Sequence, residues 1–388
     1  SYLSSRYRSL VDQGSSPMVF TVSNAGGVDE GSITYSQALA SESRTTFWGD
    51  GTTDTTSGNV TVTHTYPSAG TYIIETSGDV GQVRMTDIAG ITSFNKFGGD
   101  AKLSNDQESV FESANYPEVG GPAMSISAQV GWPKFVANTT TKNYFFNTKL
   151  TVTDWNNLDL NSWPQKYTGR IIEATQMFTN ADNFNQDLDN WDMGNCLVFT
   201  SFFKDCTDFN GNVSQWDMSG ATSINGMFYT ATSFDQDLSA WDVSNCGIFA
   251  GAFRKATAFG SGSNTNSLTN WDMSNATRIS SMFADSAFNG SISGWTISPT
   301  TTQDCFKNNT AFNQDLSGWD ITSLDPSSYN SARGMFDDCT TMSGENYSKT
   351  LIGWANQVSS NAGAPIDCEL GAANVTYNNT TYTGSPYS

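Results

Sequence analysis

Tryptophan recurs along this chain at Trp163, Trp191, Trp216, Trp241, Trp271, Trp295, Trp319 and Trp354, most often 24 or 25 residues apart. A period of about 20 to 50 residues constrains a fold more than any local propensity. It means one supersecondary unit, repeated, that buries its apolar face only by stacking on its neighbours. The neighbours of each Trp repeat too: LDNWDMGNC from Leu188, VSQWDMSGA from Val213, LSAWDVSNC from Leu238, LTNWDMSNA from Leu268, ISGWTISPT from Ile292 and LSGWDITSL from Leu316. All read aliphatic, two polar, Trp, polar, aliphatic. Three residues past the last aliphatic come the small side chains Cys196, Ala221, Cys246 and Ala276.

This spacing maps onto the L-x-x-L-x-L core of a leucine-rich repeat, with Trp at the second leucine position. Alternation over Trp191, Asp192 and Met193 predicts a short strand with Trp and Met inward and Asp outward. The other half of each repeat carries i, i+3, i+4, i+7 stripes: Phe199, Phe202, Phe203 and Cys206; Ile224, Met227, Phe228 and Ala231; Phe249, Ala252, Phe253 and Ala256. That spacing predicts short helices. A further Phe closes each coil at Phe184, Phe209, Phe234, Phe259, Phe288 and Phe312. The expected fold is an α/β solenoid: a leucine-rich-repeat-like, right-handed coil stack of parallel short strands and short helices over residues 146–345, with aromatic rows as its core.

Ahead of the repeats the pattern changes. FWGDGTTD at 47–54 and VTVTHTYPSAGTYIIETSG at 60–78 alternate with period two around Gly- and Pro-bearing turns, which predicts a small antiparallel β-sandwich over 20–82. Residues 1–19 are read as an N-terminal arm and 83–145 as a cap with degenerate first coils, VFESANYP at 110–117 and NYFFNTKL at 143–150 being worn helical halves. Residues 346–388, including VTYNNTTY at 375–382, are read as the C-terminal cap. The pieces WGDG and HTYPSAGTYII resemble polycystic-kidney-disease-type, Ig-like modules. Together with MFYTATSFDQDLSAWDVSN at 227–245 and YSKTLIGWANQ at 347–357, the layout resembles BspA-type leucine-rich-repeat surface proteins. The resemblance implies a surface-exposed, often adhesive protein, without a visible signal, lipid-attachment or wall-sorting motif to anchor it.

Charge narrows the partners. With 38 acidic against 18 basic residues, a net charge of −20 disfavours nucleic acid and anionic membrane alike. No run of 18 or more apolar residues suggests membrane insertion. One histidine, His64, far in sequence from any cysteine, argues against a triad or a Cys/His metal site, and no GxxxxGK[ST] loop occurs. Neither catalytic nor cofactor-binding residues are assigned. Cys196 and Cys246 share a position two coils apart, beyond disulfide reach, so they are expected reduced and buried, as are Cys206 and Cys305. A bridge between Cys339 and Cys368 is the one open pairing.

The candidate ligand face is the outward column Asp192, Asp217, Asp242, Asp272 and Asp320, interrupted by Thr296. Stacked carboxylates need compensation, either from local Asx-type turns formed with residues just downstream, which we favour, or from bound Ca²⁺. The function expected is that of a non-enzymatic extracellular protein, on a cell surface or in a virion. It would display its coils to protein or glycan on a cell surface, or to other virion proteins. A polysaccharide-degrading enzyme and a purely self-assembling homo-oligomeric subunit are the alternatives.

Overall fold

The computed structural model describes residues 18–24, 29–36, 43–58, 60–77, 82–86, 91–97, four two-residue strands between 102 and 140, and most of 152–360. Side chains are described for 43–58, 60–76 and most of 152–358. Contacts divide the chain into two compact units, Ser1–Cys196 and Leu197–Ser388. The expected worn helical halves at 110–117 and 143–150, Cys368, and all of 375–382 but Val375 lie outside the described residues, as does nearly all of the expected arm.

In the first unit, β1 (Met18–Asn24), β2 (Asp29–Ser36), β3 (Ser43–Phe47), β4 (Thr53–Ser57), β5 (Val60–Thr65), β6 (Gly70–Ser77), β7 (Gln82–Thr86), β8 (Ile91–Phe97), β9 (Lys102–Leu103) and β10 (Ser125–Ile126) follow in order. All of these but β9 form a six-stranded sheet β10-β8-β1-β6-β3-β4 and a three-stranded sheet β5-β2-β7. All their pairings are antiparallel except β10 with β8. The module therefore does not stop at residue 82. β7 and β8, expected to belong to a cap, complete the two sheets, with β8 bonded along β1 from Met18↔Phe97 to Val22↔Ile91. An edge strand left unpaired would expose a row of backbone donors and acceptors, and β8 removes that edge from β1.

The β3–β4 turn explains WGDG. Gly49 and Gly51 adopt φ of +87° and +96°, which side-chain-bearing residues rarely tolerate. A Cβ on Gly49 would also lie 2.6 Å from the Ile73 carbonyl oxygen, so the turn packs flush on β6. Trp48, Val62, Tyr66 and Ile74 are buried beneath it.

Three more short strands follow: β11 (Lys134–Phe135) pairs with β9, and β12 (Thr139–Thr140) with β13 (Ile171–Glu173), both parallel. A single helical turn, α1 (Gln165–Thr168), precedes β13. Within this unit Phe178 stacks on Phe184 at 4.4 Å, while Trp163 meets Trp191 edge-on at 5.5 Å. The Trp191 indole N–H donates to the Leu160 carbonyl at 2.8 Å.

In the second unit the repeats stack ring on ring. Trp216, Trp241, Trp271, Trp295 and Trp319 form a column with centroid spacings of 6.5, 6.4, 6.4 and 5.9 Å and interplanar angles of 14° or less. Phe203, Phe228, Phe253, Phe283, Phe306 and Phe336 form a second, at 5.5 to 6.0 Å. Phe209, Phe234, Phe259 and Phe288 form a third, at 5.7 to 5.8 Å. The second and third columns also stack within each coil, as Phe228 does on Phe234 at 3.9 Å.

The expected helices are replaced by runs of turns. Left-handed residues recur in pairs four apart: Ser201 and Asp205, Gly226 and Thr230, Gly251 and Lys255, Ser281 and Asp285, Asp304 and Asn308, Gly334 and Asp338. Between them the backbone splits its donors. The N–H groups of Phe199, Ser201, Phe203 and Asp205 reach the carbonyls of Ser223, Asn225, Met227 and Tyr229 in the next coil at 2.7 to 2.9 Å, while those of Phe202, Lys204 and Cys206 bond three residues back. A helix would spend all its interior donors on itself, whereas this arrangement gives half of them to the neighbouring coil. The strands expected at Trp-Asp-Met are not formed either. Parallel bridges fall four or five residues later, along Val198, Ser223, Ile248, Arg278 and Thr301. The in-out alternation at Trp216, Asp217 and Met218 nonetheless holds, since only the Asp is exposed.

The last coil is covered by α2 (Gly344–Ser360). Trp354 stacks against Phe336 at 6.2 Å and donates its indole N–H to the Leu316 carbonyl at 2.9 Å, standing in for the Trp of a further coil. Gly353 is required there: a Cβ would come within 2.6 Å of the Ser317 carbonyl oxygen.

Candidate functional site

The outward carboxylates sit one residue after each Trp, where the chain leaves the core and turns. Asp192, Asp217, Asp242 and Asp272 are exposed and Asp320 half-buried. Each accepts a hydrogen bond from the backbone N–H two residues on: Gly194 to Asp192 at 3.2 Å, Ser219 to Asp217, Ser244 to Asp242 and Ser274 to Asp272 at 3.0 Å each, and Thr322 to Asp320 at 2.9 Å. The Thr322 hydroxyl adds a bond of 2.6 Å to Asp320. These are the local Asx turns expected from WDMSN and WDVSN.

The turns leave an electrostatic mark. The hydroxyl and then the backbone N–H of Ser219 hold Asp217 below the usual carboxylate range, and Ser274 does the same for Asp272. The Thr322 hydroxyl chiefly lowers Asp320. Among the described residues the one carboxylate moved the other way is Asp235, raised by burial and partly offset by the Gly260 N–H. Among the described residues no group of three or more His, Cys, Asp or Glu is placed to hold a metal ion.

Other repeated polar groups are committed between coils. The indole N–H groups of Trp241, Trp271 and Trp295 donate to the carbonyls of Val213, Leu238 and Leu268 in the preceding coil at 2.7 to 3.0 Å. Each of these carbonyls also accepts the N–H of its own coil's Trp. The Asn210 side chain accepts from the Asp235 N–H at 2.9 Å and from Gln236 at 2.9 Å, and Asn289 accepts likewise from Asn313 and Gln314. Sequence reasoning assigned these amides no role. The signal was present in the recurring Phe-Asn or Phe-Asp pair, as FNGNV at 209–213, FDQDL at 234–238, FNGSI at 288–292 and FNQDL at 312–316.

The five described cysteines, Cys196, Cys206, Cys246, Cys305 and Cys339, are buried and form no disulfide with one another. Burial pushes the Cys246 thiol up to about 11 and Cys339 to about 12, the opposite of an activated nucleophile.

In the first unit His64 joins a compact cluster. Its Nε2 lies 2.8 Å from Asp50 Oδ2, its ring stacks on Trp48 at 4.7 Å, and Tyr66 meets it edge-on at 4.7 Å. Tyr66 donates its hydroxyl to the Trp48 carbonyl at 2.9 Å, and Trp48 donates its indole N–H to Asp54 at 2.7 Å. Burial works to raise Asp50, but Thr52 and His64 together hold it below its ordinary value. Burial raises Tyr66 beyond the usual phenol range. Every polar atom named here braces the WGDG turn, and among the described residues no side chain of this cluster is paired with a cysteine.

Taken together, these features define a repeat protein whose coils are joined by stacked rings and by hydrogen bonds from one coil to the next. The chain belongs to the family described as Mycoplasma protein of unknown function, DUF285, which matches it over residues 139–265 and 259–360. The two matches tile the ring-stacked repeats and α2. No curated protein and no solved structure matches the chain. Among the described residues no helix is long and apolar enough to cross a membrane.

Proposed function

We propose that this chain is a non-enzymatic surface protein, of a cell or a virion, in which a leucine-rich-repeat-like, right-handed solenoid displays a polar face to protein or glycan. The N-terminal module acts as a spacer or docking unit. One observation carries the reading: the carboxylates repeated on the exposed side are spent on their own turns, each accepting the N–H two residues downstream. A hydrolase built on such coils would need two carboxylates held in contrasting environments, one kept protonated and one ionised. Asp217 and Asp272 instead share the same partners and the same downward shift. A surface finished with Ser, Thr and Asn, and only 14% charged residues, also suits a displayed repeat.

The reading is tested by location. Immunogold electron microscopy on intact virions and intact cells, with an antibody to residues 197–358, is expected to label the exterior of one of them. Labelling confined to the cytoplasm would overturn it. Release of reducing ends from a panel of polysaccharides by the purified chain would replace it with the enzymatic alternative.

A further inference from the structure

We propose that Tyr229 and the three cations around it form a binding site for the anionic groups of an acidic polysaccharide. Residues 197–388 contain seven Lys and Arg residues, and three of them gather on one ring. Lys204 Nζ and Arg254 Cζ each lie 5.5 Å from the Tyr229 ring centroid, and Lys255 Nζ lies 6.0 Å from it.

The repeat register makes the convergence. Lys204, Tyr229 and Arg254 are spaced 25 residues apart, so they take one position on three successive coils. The adjoining rings Phe203, Phe228 and Phe253 set the rise there at 5.6 and 5.5 Å. Lys255 follows at a left-handed turn position, φ +59°, fixed by its N–H bond to the Ala284 carbonyl at 2.9 Å.

A cation over a half-buried aromatic ring is weakly attracted to its face, and three cations on one ring repel one another. Two carboxylates partly compensate: Asp205 lies 3.7 Å from Lys204, and Asp285 lies 3.3 Å from Arg254 Nε. Positive charge is left over. Lys255 is exposed and has no ion pair among the described residues, and the two terminal nitrogens of Arg254 bond to none of them. An open guanidinium fork beside a free ammonium is a recognition geometry for carboxylate or sulfate.

The surroundings select the carrier of that anion. No exposed large apolar side chain falls within 199–206, 224–231 or 249–256 among the described residues, so a protein partner would have only Tyr229 and Arg254 to anchor on. Dense phosphate is opposed by Asp217 and Asp242 on the same coils and by the net charge of −20. Three residues beyond Lys204, Tyr229 and Arg254 come Thr207, Thr232 and Thr257, of which the first and last are exposed, and the hydroxyls of Thr232 and Thr257 donate to the carbonyls of Thr207 and Thr232 and keep their lone pairs to accept. Hydroxyls beside a small cationic patch fit a chain of sugars with sparse acidic groups.

This inference deepens the display reading, but its test is made in vitro, so a cytoplasmic location would sink that reading and leave this result standing. Binding of the full chain to hyaluronate, low-substitution dextran sulfate, neutral dextran and polyglutamate would be measured by calorimetry at about physiological and at high salt. Expected is binding to hyaluronate, to the dextran sulfate or to both, absent for neutral dextran and weakened by salt. The pair Arg254→Gln and Lys255→Gln should weaken it at least tenfold with an unchanged melting temperature. Asp285→Asn keeps every cation and removes the carboxylate competing for Arg254, so it should tighten binding several-fold, a gain that misfolding cannot produce. Polyglutamate binding as tightly as the polysaccharides would reassign the site to an acidic peptide and overturn the proposal. Absence of binding to both polysaccharides, or binding that neither variant set alters, would also overturn it.

Discussion

At the scale of single residues, the question is why each repeat sets a Trp, and not an aliphatic residue, at the centre of its motif. Leu could fill the position but could not donate a hydrogen bond. The Trp241 indole does so to Val213 at 3.0 Å while its ring stacks between Trp216 and Trp271. The bond ties one coil to the preceding one at a carbonyl already used by its own coil, so that oxygen's second lone pair is also satisfied. Trp241→Phe keeps an aromatic ring and loses the donor. Because Val213 retains the Trp216 N–H, no acceptor is orphaned, and the expected loss is the bond itself plus a little volume, about 1–2 kcal/mol. Trp241→Ala removes the whole rung and is expected to cost about 3–5 kcal/mol. Urea unfolding of the full chain, comparing midpoints at constant slope, reads both. Equal midpoints for Trp241→Phe and the parent would show that the indole bond contributes nothing.

At the scale of the element, the decisive feature is the run of turns, and here the sequence was only half legible. Which residues face inward could be read: Phe199, Phe202, Phe203 and Cys206 are all buried, as are Ile224, Met227, Phe228 and Ala231. The backbone that places them could not, because left-handed residues four apart give the same inward positions as a helix. The clue lay on the other side of the stripe. Gly226, Gly251 and Gly334 occupy a position where Ser201, Ser281 and Asp304 stand in other coils, and Gly in mid-stripe is a poor helix former. For the acidic column the side-chain role was legible, since an Asp two residues before a Ser or Thr is a local motif. The cation cluster at Tyr229 was not, because it needs three coils in register. The turns also give a sharp contrast between two glycines. Gly251 has φ of +61° and open space where a Cβ would go, so Gly251→Ala carries only the conformational cost, about 1–2 kcal/mol. At Gly294 the Cβ would strike the Thr269 carbonyl oxygen of the preceding coil, so the coils themselves must part. Gly294→Ala is therefore expected to lower the thermal midpoint more than Gly251→Ala, and the reverse order would refute the packing described here.

At the scale of the whole molecule, charge is the variable. The chain carries a net −20, and its outward Asp residues recur beside Trp rings spaced about 6 Å apart, a separation at which two carboxylates in water repel by roughly 0.6–0.7 kcal/mol. Monovalent salt shortens the screening length to about 3 Å at 1 M, so the melting temperature at pH 7 should rise with sodium chloride. Acid acts in the opposite direction on the turns. Asp50, Asp217, Asp272 and Asp320 are held below their ordinary values in the fold, so their contribution is present above the unfolded carboxylate range, near 4, and is lost as pH falls through their lowered values. Asp235, raised by burial, titrates with the contrary sign, but among the described residues it stands against these four and Glu345, which Lys349 also lowers. Thermal unfolding should thus be nearly flat between about pH 7 and 5 and fall below about pH 4. The same titration weighs calcium against Asx turns. If the acidic column is already satisfied by its own backbone, calcium chloride at matched ionic strength should raise the melting temperature no more than sodium chloride does. A rise of several degrees specific to calcium, reversed by chelator and abolished by Asp242→Asn, would instead make the outward carboxylates a cation site, because Asn keeps the Asx bond and loses only the charge.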